Sequence, residues 1–467
     1  MEKRIAMRET MHCVVLPYPA QGHMNPMIQF SKRLQHEGVR VTLVTTLFYF
    51  KNIENNLNLP HSISLETISD GFDNGRHGEA LNLRVYLERF GQVGPQNLGE
   101  LLENLARTGY PVDCIVYDSF LTWPLDVARK FGVVGAVFLT QNLPINAICY
   151  HVYIGKLRHD HEVSLLPMLP QLQYSEMPCF FFNHEEDPDF LQMLRDQFSN
   201  IDKADWVLCN SFYELEKQVT DWTMKIWSNF RTIGPNIPSI FLDKRLKDDE
   251  DYNITQFKTE ECITWLDNKP KYSVVYVSFG SLVSLDEEQM KEVAYSLKHS
   301  QKYFLWVVRV SEEAKLPKDF AKNSEKGLVV TWCSQVKVLA HEAIGCFLTH
   351  CGWNSSIEAL SLGVPVIVLP QWSDQGTNAK YLVDVWKVGI RPMVDDKKIM
   401  RKEALEYCIR ELMENEKGKE IKINAMQWKN LAIEAVSEGG SSNKNIIEFV
   451  NGLFHVQTKN HEPTISL

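Results

Sequence analysis

Two separated stretches of this chain repeat one arrangement: a short, continuously apolar run, a turn, and then a helical pattern. In the first stretch Cys13-Val14-Val15-Leu16 breaks at Pro17-Tyr18-Pro19. A helix is predicted from about Pro26 to Gln35, with Pro26 suited to the first helical position. Gly38 closes that helix, and Val41 to Thr45 is the next run. Cys114 to Tyr117 leads into a helix predicted from about Leu121 to Phe131, and Val133 to Leu139 is apolar again. From Ser273 the arrangement restarts, with apolar runs at Val274 to Val277, Phe304 to Val307, Leu328 to Val330, Cys346 to Leu348 and Val366 to Leu369. Strands that lack polar alternation are buried on both faces, which requires a parallel sheet covered by helices. The expected fold is therefore α/β, with two doubly wound, Rossmann-like domains facing across a cleft. Ligands of such sheets bind beyond the carboxyl ends of the strands.

Length agrees, since 467 residues exceed one ordinary domain. Gly234-Pro235-Asn236-Ile237-Pro238, followed by the charged run Asp243 to Asp251, reads as a linker. The expected division is 1–240 for the N-terminal domain, 241–255 for the linker and 256–440 for the C-terminal domain. Residues 441–456 form a final helix that returns to the N-terminal domain, and 457–467 a polar tail. Gly439-Gly440-Ser441-Ser442 reads as a loop ahead of that helix, which is predicted from about Asn443 to Leu453.

The formal net charge of -10 opposes phosphate backbones, so neither nucleic acid nor an anionic membrane is an expected partner. An anionic nucleotide would need a local pocket that overrides the global sign. No stretch reaches the roughly 18 apolar residues of a membrane span, and Met1 to Arg8 is followed by no signal-peptide core. The ten cysteines show no CxxC pair and no zinc-like spacing, and Cys13, Cys114, Cys209 and Cys346 lie in apolar runs. A reducing compartment, the cytoplasm, is expected. Nothing in charge or cysteine pattern marks an obligate partner, and a monomer is the expectation.

The segment Leu348-Thr349-His350-Cys351-Gly352-Trp353-Asn354-Ser355-Ser356-Ile357-Glu358 passes from a strand through a glycine turn into a helix. Unpaired N–H groups and about half a positive charge at a helix N-terminus favour an anion. Gly352 lets the backbone approach, Asn354 and Ser355 add donors, and His350 can point at the same anion. An ordinary capped helix also fits these residues. In the loop from Pro17 to Pro26, His23 stands beside Gly22 beyond a strand end. With a pKa of about 6.5, histidine suits the acceptance of a proton near neutrality. A loop histidine without a role fits the same pattern.

Trp332-Cys333-Ser334-Gln335, His350 to Ser355 and Asp374-Gln375 fall within 44 contiguous residues, Trp332 to Gln375. This stretch resembles the signature of the plant family 1 UDP-glycosyltransferases, and the likeness extends from the Pro17 loop to Gly439-Gly440-Ser441-Ser442. The resemblance implies a GT-B fold and an inverting transfer of a sugar from UDP-glucose. Trp332 would stack on uracil, where the residue alone reads equally as a core tryptophan at a strand end. The backbone of Cys333 would read the edge of the base. Gln335 and Glu358 would bond ribose hydroxyls, although Glu358 also reads as a solvated helix carboxylate. His350, Gly352, Asn354 and Ser355 would hold the diphosphate, with Ser281 beside it after the Ser278-Phe279-Gly280 turn. Trp353, Asp374 and Gln375 would contact the sugar, and Gln375 is the family's correlate of glucose where histidine accompanies galactose. Thr140 matches a position that reaches the sugar hydroxymethyl.

His23 matches the family's catalytic base. Asp118, ending the run Ile115-Val116-Tyr117, would fix its tautomer and stabilise the imidazolium. Asp118 alone reads also as a cap for the following helix, and Asp126, further into that helix, competes with it. Tyr18, Phe120, Gln141, Met177, Phe180 and Trp372 are candidates for the acceptor pocket. Phe180-Phe181-Phe182, with Tyr174 and Met177, either lines that pocket or forms a satellite core under a long loop. Tyr117-Asp118-Ser119-Phe120 and Thr140-Gln141 resemble a subgroup that glucosylates carboxylic acids and the hydroxyls of terpenoids or steroids. A β-O-glucoside of such a hydroxyl is the leading expectation, with a glucose ester or a phenolic or flavonoid glucoside as alternatives.

No metal or other cofactor is expected, because the helix N-terminus and His350 can meet the leaving diphosphate's charge. Arg158-His159-Asp160-His161-Glu162 reads as solvated surface. Asn354-Ser355-Ser356 is a formal glycosylation sequon inside the expected phosphate site, which speaks against a secretory route. Asn253-Ile254-Thr255 is a second. A non-catalytic UDP-sugar binder and a sugar-nucleotide epimerase share this scaffold, but the His23–Asp118 pair and the acceptor-facing loop disfavour both.

Overall fold

Every apolar run named above becomes a strand, and each strand joins a parallel sheet. The structure is a computed structural model that describes residues 10–53, 63–75, 80–157, 166–182, 187–246, 249, 252, 260–320 and 325–460, without the side chains of 182, 260 and 455–460. Contacts divide the chain into two units. Unit 1 comprises Met1–Arg158, Glu185–Ile254 and Ala435–Leu467, and unit 2 comprises His159–His184 and Thr255–Glu434.

Unit 1 holds β1 (His12–Leu16), β2 (Arg40–Thr46), β3 (Ile63–Ile68), β4 (Cys114–Asp118), β5 (Val134–Leu139), β6 (Trp206–Cys209) and β7 (Phe230–Thr232). They form a seven-stranded sheet in the order β3-β2-β1-β4-β5-β6-β7. The direction of travel reverses between β1 and β4, whose register pairs Cys13 with Cys114 and Leu16 with Tyr117. The carboxyl ends of these two strands therefore stand side by side. Met24, Met27, Ile28, Phe30 and Leu34 of the helix Gln21–His36 bury against Val15, Val41 and Phe138. Phe449 of the last helix joins the same core.

Two helices differ from the expected bounds. The first helix begins at Gln21, so Pro26 lies inside it and His23 occupies its first turn rather than a loop. The first N–H groups of a helix need no intrahelical partner, so Gly22 and His23 adopt helical geometry at little cost. Pro26 then removes a single bond of the ladder close to the end. The last helix spans Ser441–Asn460, so Ser441 and Ser442 start it and part of the expected tail continues it. It is anchored in unit 1 by Ser442 Oγ to the Gly234 carbonyl and by Asn445 Nδ2 to the Thr232 carbonyl at 2.8 Å. In the charged run after Pro238, Asp243 and Asp249 are paired with Arg33 and Lys32 of the helix that carries His23. All four side chains are buried.

Unit 2 holds β8 (Val274–Ser278), β9 (Tyr303–Val307), β10 (Gly327–Val330), β11 (Ile344–Thr349), β12 (Val366–Val368) and β13 (Gly389–Ile390), ordered β10-β9-β8-β11-β12-β13. All are parallel, and the reversal falls between β8 and β11, where Ser278 pairs with Thr349. Residues 166–182, which chain order places in the N-terminal domain, are grouped by contacts with unit 2. They include a turn of helix at Tyr174–Glu176 and the short helix Cys179–Phe182.

The ten cysteines are free, and Cys13, Cys114, Cys209 and Cys346 are fully buried. Among the described residues no helix is long and apolar enough to cross a membrane. Arg158-His159-Asp160-His161-Glu162 and Asn253-Ile254-Thr255 lie outside the described residues, as does the tail from 461.

Candidate active site

His23 and Asp118 in one sheet, and His350 with Gly280 in the other, stand at the point where strand order reverses, the place where adjacent loops part and leave a crevice. In unit 1 that point lies between β1 and β4. Asp118 ends β4 and is completely buried, and His23 stands in the first helical turn after β1. His23 Nδ1 and Asp118 Oδ2 are 2.6 Å apart. The other carboxylate oxygen accepts from the Phe120 N–H at 3.0 Å. Asp118 thus holds a local turn and the imidazole together, and it does not cap the helix Pro124–Phe131, whose N-cap is Trp123. Asp126 is exposed in the first turn of that helix. A carboxylate on Nδ1 selects the tautomer with its proton there and leaves the Nε2 lone pair to accept one. Among the described residues Nε2 has no hydrogen-bond partner, and the side chain keeps 17% exposure.

The rings of Phe120 and Tyr18 lie 4.8 and 5.3 Å from the imidazole, centroid to centroid. These are apolar walls beside a proton acceptor. Thr140, one residue beyond β5, has its hydroxyl 3.2 Å from Nδ1, a contact that sequence reasoning did not anticipate. Gln141 follows, and its Oε1 is buried without a hydrogen bond. Met177 and Phe180 belong to unit 2 and are buried there, whereas Trp372 is 39% exposed. The six acceptor candidates are therefore divided between the two units.

In unit 2, β11 ends at Thr349 and the helix Trp353–Leu362 starts after Gly352, its N-cap. No side chain caps this helix, so the ordinary capped terminus is not what forms. Cys351 bridges strand and helix in the left-handed region, φ 68°, held by Thr349 Oγ1 on its N–H and Asn378 Nδ2 on its carbonyl. The His350 ring sits between two glycines. A Cβ at Gly280, where φ is +70°, would come within 2.8 Å of Nε2, and one at Gly352 within 2.6 Å. Neither position has room for a side chain. Burial pushes the His350 pKa down to about 4, so near neutrality its imidazole is an uncharged donor rather than a cation.

Behind the turn, Gln335 Nε2 donates to Ser355 Oγ at 2.9 Å and to Glu358 Oε2 at 2.8 Å. Tyr276 Oη donates to Gln335 Oε1 at 3.3 Å and lies 3.4 Å from Cys333 Sγ. Glu358 is buried, so the solvated reading fails. Tyr276 is a site neighbour that sequence reasoning missed, since it looks like any residue of a buried strand. Trp332 is half-buried in the loop between β10 and the helix Gln335–Ala340.

Past β12, Gln375 Oε1 accepts from the N–H groups of Gln371 and Trp372, each at 2.9 Å. That locks the amide so that its NH₂ end is the one left to donate. Asp374 is buried, bonded to Asn378 Nδ2 at 2.8 Å, and its pKa is pushed up to about 6 by burial. Trp353 buries its indole against Trp386, 6.1 Å between centroids. Ser281 is exposed, and its carbonyl accepts from Arg309.

Residues 244–435 match the family model for UDP-glucoronosyl and UDP-glucosyl transferase. A mogroside I-E synthase of Siraitia grosvenorii is 46% identical over 94% of this chain and 97% of its own length. The chain belongs to the plant family 1 UDP-glycosyltransferases. A flavonol 7-O-beta-glucosyltransferase of Arabidopsis thaliana is 43% identical to this glycosyltransferase, over 94% of this chain and 98% of its own. Os79 of O. sativa, solved in complex with UDP, superposes with a TM-score of 0.89 at 38% identity, covering 94% of this chain and 100% of that one. The fold of this UDP-glycosyltransferase is accordingly GT-B, built on two Rossmann-like parallel sheets.

Proposed function

We propose that this UDP-glycosyltransferase moves glucose from UDP-glucose to a hydroxyl of a small lipophilic acceptor, forming a β-O-glucoside by inversion. The observation that carries this reading is the 2.6 Å His23–Asp118 contact, which leaves Nε2 as a proton acceptor on an imidazole packed beside two aromatic rings. His23 takes the acceptor's hydroxyl proton, the oxygen forms a bond to the anomeric carbon, and the bond to the UDP oxygen breaks on the opposite face.

The turn at His350 to Ser355 would receive the diphosphate and stabilise its charge as the bond breaks. Trp332 would stack on uracil, the backbone of Cys333 would read its edge, and Gln335 with Glu358 would take the ribose. The amide end of Gln375 and the carboxylate of Asp374 would take the sugar hydroxyls, and Gln375 supports glucose. UDP-glucose enters as a substrate rather than a resident cofactor.

Acceptor preference is drawn from the apolar walls around His23 and the likeness to a mogroside I-E synthase. A terpenoid or steroid hydroxyl leads, and a flavonoid hydroxyl is the second reading because a flavonol 7-O-glucosyltransferase is nearly as similar. Incubation with labelled UDP-glucose and a panel of terpenoids, steroids, phenolics and carboxylic acids tests the proposal. A β-anomeric product on a hydroxyl is expected by NMR. An α-anomer, donor consumption without acceptor, or products on acids alone would overturn it.

Donor binding should carry a pH signature from His350. Its pKa, pushed down to about 4 by burial, must rise when a diphosphate lies beside it. Between the free and bound values the complex holds more protons, so affinity for UDP-glucose rises as pH falls from about 7 to about 5. UDP-glucose is the right probe because both its phosphates are diesters and do not titrate there. Asp374, at about 6, responds with the opposite sign if a sugar hydroxyl favours its ionised form, so the His350→Asn variant is needed to separate the two. Calorimetry in two buffers of different ionisation enthalpy should show proton uptake that His350→Asn lacks. Equal proton linkage in both proteins would sink the assignment of His350 to the diphosphate.

A further inference from the structure

The turn that ends with Asp374 and Gln375 is held from outside by a segment distant in sequence. Residues 173–179 lie along it as a strap, within the same unit. The Cys179 N–H donates to the Ser373 carbonyl at 2.9 Å, and the Ser373 N–H points back at Cys179 Sγ, 2.8 Å away. Thr377 Oγ1 donates to the Glu176 carbonyl at 2.8 Å. Gly376 lies so close that a Cβ would stand 3.3 Å from the Ser175 carbonyl oxygen and 3.5 Å from that of Met177.

Glu176 is the centre of this contact. Its side chain is 6% exposed, yet Oε1 meets two cations, Lys380 Nζ at 3.3 Å and Arg391 Nη1 at 3.5 Å. Oε2 accepts from the Gln173 N–H at 2.9 Å, closing the strap's own turn. Lys380 ends the helix Gln375–Lys380, and Arg391 follows β13, so one carboxylate ties the strap to the helix that leaves the turn and to the end of the neighbouring strand. A carboxylate withdrawn from water beside two cations is expensive to unpair, which makes the tie stiff. The residue it steadies is also the one whose amide must present its NH₂ end in a fixed direction.

We propose that Glu176 is a positioning residue for donor-sugar recognition, acting through Lys380, Thr377 and the turn that carries Asp374 and Gln375. It rests on the reading of Gln375 as a glucose contact. The strap also bears Met177, and Phe180 follows it directly, so sugar selection is coupled to a segment that carries buried apolar side chains. The candidate uracil and diphosphate contacts come from another stretch of the chain, Trp332 to Glu358.

The test compares wild type, Glu176→Ala, Glu176→Asp, Lys380→Met, Thr377→Val and Gln375→Ala. UDP affinity is read by calorimetry and steady-state rates with UDP-glucose and UDP-galactose. Glu176→Ala should lose about 10- to 100-fold in kcat/KM for UDP-glucose, the scale on which small misplacements of a reacting group act. Its preference for UDP-glucose over UDP-galactose should fall towards that of Gln375→Ala, while UDP affinity stays within about twofold. Glu176→Asp should recover part of the preference. Thr377→Val and Lys380→Met should shift it in the same direction, and they keep the test open if Glu176→Ala does not fold. An unchanged sugar preference in these variants, with a changed one in Gln375→Ala, would overturn the role of Glu176 alone. No change in Gln375→Ala would take down the donor reading and the positioning role with it.

Discussion

His23→Ala is expected to lower glucosylation of a hydroxyl acceptor by about 10²–10⁴-fold, the usual worth of a positioned general base. Asp118→Asn should cost a comparable factor. An amide donates its own N–H to Nδ1, which turns the imidazole into the tautomer whose Nε2 already carries a proton. UDP affinity should be unaffected in both, because the candidate uracil, ribose and diphosphate contacts all lie in unit 2. A carboxylic acid acceptor supplies the internal control. It is already ionised near neutrality, so its glucosylation should fall far less than that of an alcohol. Steady-state rates on a matched alcohol and acid, with UDP binding measured alongside, settle the matter. A near-full rate on the alcohol in His23→Ala would remove the histidine from the chemistry.

Gly352→Val is expected to abolish useful donor binding. The turn before the helix Trp353–Leu362 has no capping side chain, and a Cβ at Gly352 would lie 2.6 Å from His350 Nε2. A branched side chain there displaces the imidazole and covers the helix terminus. Loss of two charge-assisted hydrogen bonds at about 1.5–3 kcal/mol each corresponds to at least about 10²-fold in UDP affinity. Gly352→Ala, with one methyl, should show a smaller loss in the same direction. Calorimetry with UDP reads both, and circular dichroism shows whether the variants are folded. Binding within threefold of wild type in a folded Gly352→Val would exclude this turn as the diphosphate cradle; that threshold is about half a kcal/mol.

The donor turn was the more legible half of the site because its parts are local. Strand, glycine, helix start and the donors around them follow one another between Leu348 and Glu358, so a reader of the sequence sees the construction directly. The aromatic segment at 180–182 was the least legible. Phe180 and Phe181 prove buried, but with unit 2, and no local pattern announces which sheet a segment between elements will join. Short strands were missed for a related reason: β13 has two residues, Gly389 and Ile390, too few for any periodicity. The start of the first helix was misplaced because Pro26 read as its first position, while the structure carries the proline inside the helix, about one turn and a half from its start.

Chain order alone determined that this protein would alternate strand and helix twice, because hydrophobic period and turn residues act over a few neighbours. It also determined the chemistry available at each strand end. Which ends meet was decided only by the tertiary structure. Sheet order depends on pairing between strands far apart in the chain, and no local preference encodes it. The reversal between β1 and β4 brings His23 onto Asp118, 95 residues away, and that between β8 and β11 sets Gly280 against His350. The strap at Glu176 is likewise a product of folding, since its contacts to Lys380 and Arg391 span 204 and 215 residues.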